Sequence, residues 1–242
     1  MLINLWATPR TGSTWFSQHL KSQYPGSQLL REMFLQSILA RYYFIDQNGI
    51  VRNSEYYKPG CHFTEYYLDN GLIKTKIVHG PRTLSDRNEL EYLLDIVERC
   101  DSSNNTYILH HHVTMPLEII ERLKSKADRN IYLYRKNKRE QLASFAIAVA
   151  SKQWIATNKS HVVNDRVSDI PINLLKEFIE LIEKWDSLEK EEVIAYEDLE
   201  FVEKPGMPHK QNYDHKSRLS DFMISEIDKL VTEYELKNSS YK

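Results

Sequence analysis

The stretch that decides the fold is Leu2-Ile3-Asn4-Leu5-Trp6-Ala7-Thr8-Pro9-Arg10-Thr11-Gly12-Ser13-Thr14-Trp15-Phe16-Ser17-Gln18-His19-Leu20. Leu2 to Ala7 form a short apolar run closed by a turn signal, the pattern of a strand buried in a parallel sheet. Residues 8–14 (TPRTGST) break that run, and residues 15–23 (WFSQHLKSQ) continue as an amphipathic helix. At such a strand-loop-helix junction Gly12 permits a tight backbone approach. The amides of residues 11–15 then turn into a concave nest at the helix N-terminus, where the helix dipole favours a phosphate or sulfate. Ser13 and Thr14 add hydroxyl donors, and Arg10 adds a forked cation. A plain capped helix start has the same local pattern, so this loop alone leaves both readings open.

Glycine content narrows the choice. The 242 residues include only 7 glycines, at positions 12, 26, 49, 60, 71, 80 and 206. A dinucleotide fingerprint G-x-G-x-x-G needs three glycines within six residues, and a Walker A loop G-x-x-x-x-G-K-[ST] needs two. Neither can be written with these spacings, so any phosphate loop here works with one glycine.

Outward from the loop, strand and helix patterns alternate. Residues 28–44 read as a second helix, and 45–72 as irregular, with turn signals at Asn48-Gly49, Pro59-Gly60 and Asn70-Gly71. Strands are expected at 72–79, 106–113, 130–135 and 191–199, and helices at 90–100, 115–127, 138–154, 172–189 and 220–236. Segments 157–171 and 204–218 read as loops, and Ser220 as an N-cap. The alternation predicts an α/β fold with a central, mostly parallel sheet flanked by helices. Ligands of such sheets gather at the carboxyl ends of the strands, which directs attention to the loops after 2–7, 106–113 and 130–135.

Composition excludes several classes. Lys+Arg at 32 against Asp+Glu at 34 leaves a net charge of −2, which argues against bulk nucleic-acid or membrane-surface binding. Apolar runs fall far short of the roughly 18 residues of a membrane span. Cys61 and Cys100 are the only cysteines and lack metal spacing; a disulfide scaffold is excluded. With no signal-peptide pattern in MLINLWATPR, a reduced cytoplasmic setting is expected.

Leu5 to Phe16, with Pro9-Arg10-Thr11-Gly12-Ser13-Thr14 at its centre, resembles the 5′-phosphosulfate loop of sulfotransferases, P-[KR]-[ST]-G-[ST]-[ST]-x-[LF]. These enzymes use 3′-phosphoadenosine 5′-phosphosulfate (PAPS) and release PAP. A second block, Ile131-Tyr132-Leu133-Tyr134-Arg135-Lys136-Asn137-Lys138 through Gln141 and Ser144, resembles the family's strand-turn-helix that holds the 3′-phosphate. Its form is closest to bacterial carbohydrate sulfotransferases of the trehalose-sulfating kind. Tyr196-Glu197-Asp198-Leu199 resembles a strand-end motif of the superfamily, and Lys210-Gln211-Asn212-Tyr213 through Arg218 its C-terminal cofactor loop. Together these matches span residues 5–218 and imply a single domain over 1–242 with a P-loop-like three-layer fold. One departure is Asn137-Lys138, where most relatives have Asn-Pro or Arg-Asp. Ser144 lies nine residues after Arg135 and eight after Lys136, so either cation can meet the 3′-phosphate.

The resemblance implies the chemistry. An acceptor hydroxyl, on a carbohydrate or another small molecule, attacks sulfur in line while PAP leaves. The protein must orient the reactants, neutralise charge and remove the acceptor proton. Arg10 occupies the place of the family's loop cation. The donor would be held by Arg10, Thr11, Gly12, Ser13, Thr14, Trp15, Arg135, Lys136, Ser144, Tyr213, Lys216 and Arg218. Two residues compete as general base. Glu32, in Leu29-Leu30-Arg31-Glu32-Met33-Phe34, stands where the tyrosine- and trehalose-sulfating relatives carry theirs. His112, in Ile108-Leu109-His110-His111-His112-Val113, stands at the strand end where the cytosolic sulfotransferases carry a histidine. His110 and His112 should share one face of the strand and His111 the other, which makes metal binding by all three awkward. No metal site is expected. Lys74 and Lys76 read better as a solvated strand edge than as leaving-group partners, and Trp154 as packing. A P-loop kinase using ATP is disfavoured by the missing G-K-[ST]. A non-catalytic nucleotide-binding protein of the same fold is disfavoured by the presence of Arg10 and both base candidates.

Overall fold

The computed structural model describes residues 1–31, 33–34, 62–79, 86–112, 115–151, 167–200 and 215–239. The chain opens with β1 (Leu2–Ala7), α1 (Ser13–Gln23) and β2 (Gln28–Arg31). A ribbon of β3 (His62–Asp69) and β4 (Leu72–His79) follows, then α2 (Asp86–Arg99), β5 (Tyr107–His112), α3 (Leu117–Lys126) and β6 (Arg129–Tyr134). The remainder comprises α4 (Lys138–Ser151), α5 (Ile172–Asp186), β7 (Glu192–Ala195), a 3-10 turn (Tyr196–Asp198), α6 (His215–Arg218) and α7 (Asp221–Ser239). Five strands form a parallel sheet in the order β2-β5-β1-β6-β7, flanked by helices. The α/β reading and the parallel sheet expected from the alternation are therefore observed. Among the described residues no helix is long and apolar enough to cross a membrane.

Three segments differ from the sequence reading. Residues 28–31, expected in a helix, are a strand that pairs in parallel with β5 from Gln28↔Tyr107 to Arg31↔His110. A four-residue stretch with apolar centre suits either state, and the long-range partner decides. Residues 62–69, expected to be irregular, form an antiparallel ribbon with β4 that is closed at Asp69↔Leu72. Asn70 (φ 50°) and Gly71 (φ 78°) both take the left-handed conformation that a two-residue hairpin requires. The expected strand 191–199 stops at Ala195, and Tyr196–Asp198 turn as a 3-10 helix. Residues 215–218, read as loop, form a helical turn.

The contacts divide the chain into two compact units: Met1–Trp6 with Leu20–Ile131, and Ala7–His19 with Tyr132–Lys242. In the second unit Leu142 and Ala146 of α4, Phe178 and Ile182 of α5, and Ile227 and Val231 of α7 form a common apolar core. Phe145 and Phe178 stack there with centroids 4.1 Å apart.

In the first unit a polar network crosses the sheet. Asn130 Oδ1 accepts from Trp6 Nε1 (3.0 Å) and Asn4 Nδ2 (3.1 Å), and Asn130 Nδ2 donates to the Lys124 carbonyl (3.0 Å). Asn4 Nδ2 also donates to the Leu123 carbonyl, which leaves Asn4 Oδ1 as the acceptor for His111 Nε2 at 3.0 Å. His111 therefore carries its proton on Nε2. Its ring stacks on Trp6 at 4.6 Å and meets Phe34 edge-on at 5.4 Å.

Burial, and then the neighbouring imidazoles of His110 and His112, hold the His111 pKa well below its usual value. The unfolded chain takes up this proton below about pH 6.5 while the folded chain does not. The contribution to stability is therefore intact above that pH and is lost as pH falls. Melting temperature is expected to drop between about pH 7.5 and 5, and His111→Phe to flatten the drop. Parallel pH profiles for the two proteins would assign the effect elsewhere.

Candidate functional site

The loop expected to bind an anion lies in the second unit and is held in an unusual backbone shape. Pro9 cannot extend the strand ladder, so the chain turns after β1. Arg10 (φ 65°) and Gly12 (φ 75°) both adopt left-handed conformations. For Arg10 this costs on the order of 1–2 kcal/mol, so the surroundings must hold it. They do so through side chains. Thr11 donates its hydroxyl to the Thr8 carbonyl at 2.9 Å. Gln141, fully buried on α4, donates Nε2 to Thr8 Oγ1 (2.7 Å) and to the Pro9 carbonyl (2.9 Å). Arg135 Nη1 donates to the carbonyl of Arg10 itself at 3.3 Å.

The helix that follows starts at once. Phe16 N donates to the Gly12 carbonyl at 3.0 Å, the first i→i−4 bond. The amides of residues 13–15 precede it and form the positive end of α1. Ser13 is buried, Thr14 half-buried, and Trp15 is buried in a stack on His19 at 5.2 Å. The sequence explains Gly12 by backbone approach. In the structure a second reason appears: a Cβ at this position would lie 2.2 Å from Cε2 of Tyr196.

Arg10, Arg135 and Ser144 converge. Arg10 Nε donates to Ser144 Oγ at 2.9 Å across 134 positions of sequence. Arg135 directly follows β6, its side chain mostly enclosed, with Nε buried and without a hydrogen bond among the described residues. Glu197 and Glu140 carboxylates stand 3.9 and 4.0 Å from its guanidinium, and the Tyr196 ring lies 5.1 Å from its Cζ. Lys136 is turned to another use. Its Nζ pairs with both oxygens of Asp198, at 2.6 and 2.8 Å. That hydrogen bond is also the main reason its pKa is raised. Lys138 lies over the rings of Tyr134 and Trp185, and burial lowers its pKa, opposed by Asp186 and Glu197. Burial raises the Tyr196 pKa against the nearby Arg135 charge, so its phenol stays protonated near neutral pH.

The other expected residues fall as follows. Arg218 is buried at the end of α6, and its carbonyl accepts from Val167 N at 2.9 Å. Lys216 belongs to the same turn. Glu32, Tyr213, Lys210 and Trp154 lie outside the described residues. His112 is buried near the end of β5 in the first unit, edge-on to His110 with centroids 5.0 Å apart. That contact and the His111–Trp6 stack agree with the expected division of the triplet between two faces. Lys74 is exposed, and Lys76 pairs with Glu65 at 3.2 Å on the ribbon, as a solvated edge would. Among the described residues no group of three or more His, Cys, Asp or Glu is arranged to hold a metal ion.

Sequence reasoning gave no role to Gln141, Tyr196 or Glu197, although all three stand in stretches it singled out. Spacing carries no sign that a glutamine on α4 satisfies a loop more than 130 residues away. No protein-family model matches the chain, and a search of the curated proteins found no match.

Proposed function

We propose that the chain is a PAPS-dependent sulfotransferase that moves a sulfuryl group to a hydroxyl of a carbohydrate or another small acceptor. The observation that carries this reading is the joining of the two stretches that resemble donor-binding segments. Left-handed Arg10, at the N-terminus of α1, is bonded through its side chain to Ser144 and through its carbonyl to Arg135. The residues fit a doubly anionic nucleotide. Arg135 has a buried Nε–H without a hydrogen bond among the described residues, and the loop presents a helix N-terminus beside a second guanidinium.

When bound, the donor supplies the sulfuryl group and departs as PAP. Arg10 and the amides of residues 13–15 neutralise charge at its 5′ end. Arg135 rather than Lys136 is assigned to the 3′-phosphate, because Lys136 is committed to Asp198 while Arg135 borders the loop. Thr11 contributes its backbone, since its hydroxyl is bonded to Thr8. Glu32 and His112 are the two candidates to take the acceptor proton, with comparison of Glu32→Ala and His112→Ala turnover as the arbiter.

Thermal denaturation with PAP, PAPS and Mg-ATP tests the donor class. A ligand present at 100 times its Kd stabilises the folded state by about 2.7 kcal/mol. For a chain of this size that raises Tm by about 5–10 °C. PAP and PAPS are expected to give this shift. Stabilisation by Mg-ATP without PAP would instead favour a kinase, and PAP binding without transfer to any acceptor a non-catalytic nucleotide-binding protein.

A further inference from the structure

The turn after β7 touches both anion-binding segments of the second unit. The Tyr196 ring lies against Gly12 of the loop so closely that it occupies the space a Cβ would need. The same ring faces the Arg135 guanidinium at 5.1 Å. One residue on, Glu197 uses both carboxylate oxygens on the turn after β6: Oε2 accepts from Lys136 N (2.9 Å) and Oε1 from Asn137 N (3.0 Å). Asp198 then holds the Lys136 ammonium. Three consecutive side chains thus grip the loop at Gly12 and the strand end at 135–137. The 3-10 shape makes this possible, since a continued strand would send Tyr196 and Glu197 to opposite faces.

We propose that Tyr196 and Glu197 are positioning residues that hold the loop and the Arg135 turn in register, so that one bis-phosphorylated nucleotide engages both at once. The inference rests on the donor assignment above. Its physical content is an effective concentration. With the two segments fixed, the second phosphate binds as an intramolecular event; with the spacing released, that advantage is lost although each segment keeps its own donors.

The experiment measures Kd for PAP and for AMP, which lacks the 3′-phosphate, by calorimetry on wild type, Tyr196→Ala, Tyr196→Phe and Glu197→Gln. Wild type is expected to prefer PAP. The AMP-to-PAP Kd ratio is expected to fall at least about tenfold in Tyr196→Ala and Glu197→Gln, and to stay near wild type in Tyr196→Phe, which keeps the ring. Glu197→Gln separates positioning from charge. Removing a carboxylate 3.9 Å from Arg135 should tighten phosphate binding if charge alone mattered. A glutamine instead turns an N–H donor towards a backbone N–H and opens the turn. Should Tyr196→Ala fail to fold, Tyr196→Leu replaces it. An unchanged ratio in the variants, even with lower Tm, or tighter PAP binding by Glu197→Gln, overturns the positioning role while leaving the donor assignment intact. Failure of wild type to bind PAP overturns the donor assignment and the positioning role with it.

Discussion

Arg10→Ala is expected to weaken PAP binding by about 10- to 150-fold, the loss of a charge-assisted contact worth about 1.5–3 kcal/mol. The backbone of this residue allows a sharper test. At φ 65° any side chain with a Cβ is strained, and glycine is not. Arg10→Gly should therefore melt higher than Arg10→Ala by roughly 1 kcal/mol, or about 2–4 °C. Both should lose PAP binding alike. Calorimetric Kd values and melting curves for the two variants check the pair of expectations. Near-wild-type PAP affinity in either would remove Arg10 from the site. The strain is maintained by Gln141 and Arg135, which bond the backbone on either side of the turn. That a cation sits in a costly conformation held from outside fits a binding role better than a capped helix start.

The largest expected loss of stability lies elsewhere. Asn130→Ala removes the acceptor of the Trp6 indole and the donor to the Lys124 carbonyl. Trp6 is fully buried and Asn130 nearly so, so water does not replace those partners easily. The Lys124 carbonyl keeps the Ala127 N–H, so the main cost is the indole's lost acceptor, about 1–3 kcal/mol. Tm should fall by about 2–12 °C. Lys21→Ala on the exposed face of α1 serves as the reference, expected within about 0.5 kcal/mol of wild type. An Asn130→Ala protein that melts with the Lys21→Ala protein would show that the network contributes little. Asn130→Asp is not a rescue, because it keeps the acceptor, loses the donor and buries a charge.

These two predictions differ in how far the sequence anticipates them. Arg10 is legible because everything that marks it is local: an apolar run, a proline, one glycine, two hydroxyls and a helix pattern. Asn130 is not legible. It ends a polar dipeptide, Arg129-Asn130, ahead of an apolar strand, and an exposed strand start would look the same. Asn4, His111 and Asn130 become a network only because β1, β5 and β6 are neighbours in the sheet.

The same division runs through the fold. Contiguous apolar strands and periodic helices mark β1, β5, β6, α3 and α5 in the chain itself, because burial on both faces or on one stripe dictates a repeating side-chain pattern. The Asn70-Gly71 turn is local too, since a positive φ is a property of single residues. Strand β2 has only four residues, and its identity comes from pairing with β5. In the proposed donor site the preference for Arg135 over Lys136 likewise rests on Asp198, which pairs with the lysine. Gly12 shows both influences at one position. Its left-handed backbone is foreseeable from the loop, whereas the ring that forbids a Cβ arrives from residue 196. Local sequence sets backbone shape and burial period, which depend on neighbours a few residues away. Which side chains meet depends on strand order and helix placement, and these bring together groups more than a hundred residues apart.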